Sequence, residues 1–108
     1  MSHEVVLPAD AAADLLDIVD WIAEHDSPAR ASHVLERIES AITGLARFPL
    51  RGVHPRELLA LGIREFRETF FKPYRIIYRI EGTQVFVHLI ADGRRDMQTL
   101  LARRLLGA

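Results

Sequence analysis

The sequence predicts an α+β fold: a short N-terminal strand, an antiparallel helical hairpin laid on one side of an antiparallel sheet meander, and a short C-terminal helix. Three observations carry that reading. Lys72-Pro73-Tyr74-Arg75-Ile76-Ile77-Tyr78-Arg79-Ile80 and Gln84-Val85-Phe86-Val87-His88-Leu89-Ile90 are β-branched and aromatic runs joined by Glu81-Gly82-Thr83, a hairpin pattern. Two earlier segments repeat apolar residues at helical spacing, with only a few residues between them. Asp92-Gly93 then breaks the sheet ahead of a last apolar helical stripe.

Taken in order, Glu4 to Leu7 is short and apolar and stops at Pro8, a proline suited to the first turn of a helix. From Pro8 to about His25, Ala11, Leu15, Ile18, Val19 and Ile22 recur at helical spacing, while Asp10, Asp14, Asp17, Asp20 and Glu24 gather on another arc. That acidic arc reads as a solvated face. The oxygen of Ser27 can cap a second helix that opens on Pro28 and runs through Ala31, Val34, Leu35, Ile38, Ile42 and Leu45 to Phe48-Pro49. The short link makes the two helices an antiparallel pair, and Trp21 is assigned to the contact between them. Pro49 to Gly62 is a loop with room for one helical turn. Ile63 to Phe71 is taken as the strand that pairs with the 74 to 80 run, although charged residues occupy both of its faces. After the hairpin, Asp96 can cap a helix carrying Met97, Leu100, Leu101 and Leu105.

One hundred and eight residues suit one domain, 1–108, and 49% hydrophobic content suits one core. The absence of cysteine excludes disulfides and thiolate chemistry. No basic leader or long apolar run is present, so a soluble protein of the cytoplasm, with no membrane partner, is expected. Charge is divided unevenly. Residues 1–62 hold five arginines against ten acids, a balance of −5, and residues 63–108 hold nine Lys or Arg against five acids, a balance of +4, summing to −1. A localised positive surface is expected rather than a uniformly basic coat.

The candidate chemistry is cationic. Five dispersed histidines offer no ligand spacing, so neither a metal nor another cofactor is expected, and no phosphate loop or nucleophile motif occurs. His88, alone in an apolar strand, reads as a core or edge histidine. A side-chain period of two puts Arg75, Ile77 and Arg79 on one face of their strand and Tyr74, Ile76, Tyr78 and Ile80 on the other. Beside Lys72 and Arg94-Arg95, the two arginines make a surface for anions, unless they make ion pairs with helix carboxylates instead.

Gly62-Ile63-Arg64-Glu65-Phe66, leading into Pro73-Tyr74-Arg75-Ile76-Ile77-Tyr78-Arg79-Ile80, an apolar strand and Asp92-Gly93-Arg94-Arg95-Asp96, resembles the RelE/ParE superfamily of toxins from bacterial type II toxin-antitoxin modules. The opening helical hairpin matches too, so the resemblance spans nearly the whole chain. It implies a cognate antitoxin, in a hetero-oligomer with the toxin, and one of two targets. In the RelE branch the toxin cuts messenger RNA on the ribosome by driving a ribose hydroxyl onto the next phosphate, which needs a base, cations and an acid. Arg75 and Arg95 lie where that branch has phosphate-binding arginines, and Glu57 resembles a loop glutamate used as a base in another ribosome-dependent branch.

Two of that branch's usual parts are missing. Arg64, Phe66, Arg67 and Glu68 stand where it places lysines, and Leu100 and Leu101 where it places an aromatic residue in the last helix. The ParE branch, which poisons DNA gyrase, fits these departures better. It implies that no residue does covalent chemistry and that Arg64, Arg67, Lys72, Arg75, Arg79, Arg94 and Arg95 contact the antitoxin or the target. A member that only binds its antitoxin is a third reading.

Overall fold

The computed structural model describes residues 2–107, and Met1 and Ala108, the ends of the expected domain, lie outside the described residues. In chain order the elements are β1 (Glu4–Val6), α1 (Ala9–His25), α2 (Pro28–Gly44), a 3-10 turn (Pro49–Arg51), α3 (Arg56–Leu59), β2 (Phe66–Phe71), β3 (Tyr74–Glu81), β4 (Gln84–Asp92) and α4 (Met97–Leu106). The α+β class and the element order are those expected. β2, β3 and β4 form the antiparallel meander. β1 joins it parallel to β4, with Val5 opposite Val85, so the sheet is mixed and its order is β1-β4-β3-β2.

Local chemistry sets the boundaries. Pro8 precedes α1 in extended conformation, and the Ser27 hydroxyl accepts from the Arg30 amide at 3.0 Å to start α2. Asp96 does the same for α4 through the Thr99 amide at 3.1 Å. Gly82, at φ 60°, makes the left-handed turn of the hairpin. β2 starts at Phe66, later than expected. Ile63 is not in the strand: its amide closes onto the Leu58 carbonyl at 2.9 Å after Gly62 turns at φ 76°, and its side chain packs beside α3 and α4.

The helices do not all lie on one side. Ile76 and Ile77 are neighbours in β3 and face opposite ways. Ile76 joins Ala11, Leu15, Val34 and Ile38 of the hairpin, whereas Ile77 joins Leu58 of α3 and Met97 and Leu101 of α4. The apolar residues on both faces of β3 and β4 have this cause, since central strands covered on both sides lose their polar alternation. Each such side chain contributes roughly 1.5–3 kcal/mol by leaving water.

A bulge completes the arrangement. Ile77 pairs with Leu89 and Tyr78 with Val87, leaving His88 without an opposite residue. Val87 therefore packs against the hairpin while Leu89, two residues on, packs against α4. His88 lies edge-on to Phe66 at 5.3 Å, and burial lowers its pKa. Trp21 departs from its expected place: it is 61% exposed, because the buried stripe of α1 passes through Leu15 and Ile22 and leaves position 21 a hundred degrees aside.

Candidate functional site

The arginine pattern of β3 resolves into a buried junction. Arg75 is 8% exposed and faces the α3 and α4 side. Its guanidinium donates Nε and Nη2 to both carboxylate oxygens of Glu68, at 2.6 and 2.9 Å, and Nη1 and Nη2 to both oxygens of Glu57, at 2.9 and 2.8 Å. Glu68 stands on the neighbouring strand opposite Ile77, a diagonal step from Arg75. Glu57 comes from the single turn of α3. One planar fork thus ties three elements together. Hydrogen bonds from Arg75 hold the Glu57 carboxyl below its usual range, and those of Glu57 and then Glu68 raise the pKa of Arg75 further.

The turn after β4 is built against this junction. Gly93 donates its amide to the Pro73 carbonyl at 2.8 Å, and a Cβ placed there would come within 2.7 Å of Arg75 Cδ. Asp92 accepts from the Arg94 amide at 2.9 Å and from the Arg94 guanidinium at 2.6 Å, which depresses its pKa. The Arg95 amide bonds the Asp92 carbonyl, and its side chain is exposed. Each residue of Asp92-Gly93-Arg94-Arg95-Asp96 therefore has a part in closing the turn or capping α4.

Beside that turn lies a groove of about 510 Å³, lined among others by Asp17, Ile18, Trp21, Tyr74, Ile90 and Arg95. It exists because β1 pairs only with Gln84 to Phe86, leaving the rest of that margin of β4 without a strand. Two side chains stand in for one. Asp14 accepts from the Ile90 amide at 3.0 Å, and Arg104 of α4 donates to the His88 carbonyl at 2.8 Å while forking onto Asp14 at 2.8 and 2.9 Å. Asp14 is thus not part of the solvated acidic arc to which its spacing assigned it. Trp21 stands at the rim, stacked on His25 with ring centres 4.4 Å apart.

The family model described as the ParE toxin of the type II toxin-antitoxin system, parDE, matches residues 5–97. The chain belongs to the ParE toxin family. Toxin ParE3 of Caulobacter vibrioides is 31% identical over 100 residues, which are 93% of this chain and 96% of that protein. Two solved structures share the fold. A chain of the chromosomal ParDE TA system from P. aeruginosa has a TM-score of 0.71 at 20% identity, covering 84% of this chain and 96% of that one. A chain of the toxin-antitoxin complex RelBE2 from Mycobacterium tuberculosis has a TM-score of 0.59 at 24% identity, covering 85% of this chain and 99% of that one.

In this ParE-family chain the candidate residues do not form one cationic platform. Arg75 and Glu57 are brought together, but as partners inside the fold. Arg79 shares the face of Arg75, lies 5.8 Å over the Phe66 ring and is 3.7 Å from Glu81. Arg94 is held by Asp92. Arg67 is on the hairpin side, donating to the Gly52 carbonyl at 2.8 Å. Arg64, Lys72 and Arg95 are exposed, on separate turns. The physical cause is the sheet itself: alternation separates Arg67 from Arg75, and burial of the α3 and α4 face requires each cation there to have a carboxylate.

Among the described residues, no group of three or more His, Cys, Asp or Glu could hold a metal ion. Glu68, Asp14, Arg104 and the Trp21 groove escape sequence reasoning. The signal for Glu68 was its presence opposite an apolar run, where a charge needs a buried counter-charge. Asp14 and Arg104 are separated by 90 positions and carry no local signal.

Proposed function

We propose that this ParE-family chain acts in the cytoplasm as a growth-arresting toxin that binds DNA gyrase and is neutralised by a cognate antitoxin. The observation that carries this reading is the Arg75 junction. In a ribosome-dependent nuclease the strand arginine must meet the scissile phosphate and the loop glutamate must take a proton. Here those two residues bond each other. A guanidinium with four short bonds to two carboxylates offers no free fork to phosphate, and a glutamate whose pKa is lowered is a poorer base. A binding mechanism requires neither.

Expression without antitoxin tests it, scoring growth, the DNA-damage response and messenger RNA together. Arrest with an induced damage response and intact messages is the expected result. Cleavage within codons, lost in Arg95→Ala, would establish the ribosome-dependent alternative. No growth defect would leave a chain that only binds its antitoxin.

The groove beside Trp21 is the proposed seat of the antitoxin. An extended segment laid along β4 toward Asp92, beyond the Ile90 amide that Asp14 holds, would continue the sheet where β1 stops, and an apolar side chain would cover Ile18 and Trp21. Trp21 is already exposed, so Trp21→Ala leaves the core untouched. It is expected to weaken antitoxin binding by about 2 kcal/mol, roughly thirtyfold, in calorimetric titration. Unchanged affinity would place the antitoxin elsewhere.

A further inference from the structure

The cations of this chain fall into two populations. The ion pairs among the described residues are those of Arg56 and Arg75 with Glu57, Arg75 with Glu68, Arg79 with Glu81, Arg94 with Asp92 and Arg104 with Asp14. None involves the flank where α2 runs beside β2. There Arg30, His33 and Arg37 share one face of α2 at spacings of three and four. Arg37 lies 5.6 Å over the Phe71 ring and His33 sits edge-on to the same ring at 6.0 Å. Lys72 follows Phe71 in the turn. At the other end Arg51 lies across α2, its Nη1 3.0 Å from where a Gly44 Cβ would stand, and Arg67 donates to the Gly52 carbonyl. On α2, Glu36 borders the row three residues from His33 and Glu39 projects about 160° from Arg37, and among the described residues neither forms an ion pair with it.

We propose that this α2 and β2 flank binds the phosphodiester backbone of duplex DNA without regard to sequence. From Arg30 to Gly44 the row is roughly 21 Å long at 1.5 Å per residue. A duplex presents a negative charge about every 1.7 Å of its axis, so cations at irregular spacing each find a phosphate. Four of the five permanent charges are guanidinium forks, which match phosphate oxygens in pairs. An acidic peptide fits less well, because it needs an apolar anchor in register with the cations: the Phe71 ring amid the row is covered by His33 and Arg37, and the exposed Phe48, Leu50 and Val53 lie only at the Arg51 end. The acidic arc of α1 lies toward β4, across the molecule, and with a net charge of −1 it orients the duplex rather than letting it settle anywhere.

The test is fluorescence anisotropy of a labelled 20-base-pair duplex with the purified chain between 50 and 200 mM salt. Four phosphate contacts at about −0.9 each predict a loss of affinity on the order of a hundredfold across that range. Arg37→Glu, and separately Lys72→Glu in the exposed turn, are each expected to weaken binding about tenfold and flatten the salt slope by about one contact or more. Arg103→Glu, with the same charge change on the outer side of α4, is expected to cost less than about threefold. Circular dichroism confirms that each variant is folded. Equal losses at all three positions, absence of binding at 50 mM salt, or displacement of the duplex by polyglutamate as readily as by unlabelled DNA would each overturn the proposal. The assay contains no gyrase, so its failure leaves the gyrase reading standing, and failure of that reading leaves a positive result intact.

Discussion

Arg75→Ala is expected to lower the stability of the fold by about 3–5 kcal/mol, seen as a fall of about 2–3 M in the urea midpoint if m is about 1.5 kcal/mol/M. The size follows from what remains behind. Glu68 is 4% exposed and Glu57 is held next to it, so removing the guanidinium leaves two carboxylates facing each other in a site that excludes water. Arg75→Lys keeps a charge but cannot fork to both partners, and should recover only part of the loss. Replacing Arg75 and Glu68 together by Met and Leu should cost less than Arg75→Ala alone, since the uncompensated charge goes with its partner. A double replacement as damaging as the single one would mean that the junction acts through shape rather than charge.

The same junction sets a pH dependence. Its hydrogen bonds with Arg75 depress the pKa of Glu57 in the fold below its ordinary value of 4.5. The associated stability is therefore present in full above the ordinary range and is lost as pH falls through the lower, folded value. Urea midpoints should decline below about pH 4.5 in the parent and more weakly in Glu57→Gln.

Gly52→Ala is expected to be nearly as damaging, at about 3 kcal/mol. Gly52 needs no unusual backbone angle, with φ at −74°, so the constraint is one of space. A Cβ would lie 2.6 Å from the Glu68 carbonyl oxygen and closer still to the Tyr78 hydroxyl. Neither can withdraw freely. The Val53 and Glu68 backbones exchange bonds of 3.1 and 2.7 Å at that point, and the Tyr78 hydroxyl donates to the Pro49 carbonyl at 2.6 Å while accepting from the Gly52 amide at 3.1 Å. Thermal unfolding of Gly52→Ala in a Tyr78→Phe background decides the mechanism. If the methyl acts by displacing the hydroxyl, Gly52→Ala costs less in that background than alone; full additivity would put the clash on the Glu68 carbonyl instead.

Much of the architecture was readable because it rests on local chemistry. The Ser27 and Asp96 caps, the glycine of the hairpin turn and the apolar periods of α1 and α2 each act within a few residues. Other features were not, because they depend on partners far along the chain. The mixed charges of β2 looked like poor alternation, yet Arg67 serves one face and Glu68 the other, buried against Arg75. Trp21 is expected in the contact between the two helices, whereas its helical angle puts it at the rim of a groove. The family was legible from the tyrosine-arginine strand and the Gly-Arg-Arg-Asp turn. The burial of Arg75 was not, since the same letters suit an exposed clamp or an internal brace.

The link between Asp14 and Arg104 makes the margin of β4 depend on the last turn of α4. The outward carbonyl of His88 is stoppered by Arg104 of α4, and the outward amide of Ile90 by Asp14 of α1, which Arg104 in turn holds in place. Arg104→Ala would leave the His88 carbonyl open and Asp14 without its cation. Docking of α4 thus braces α1 against β4 and covers part of an otherwise unpaired strand.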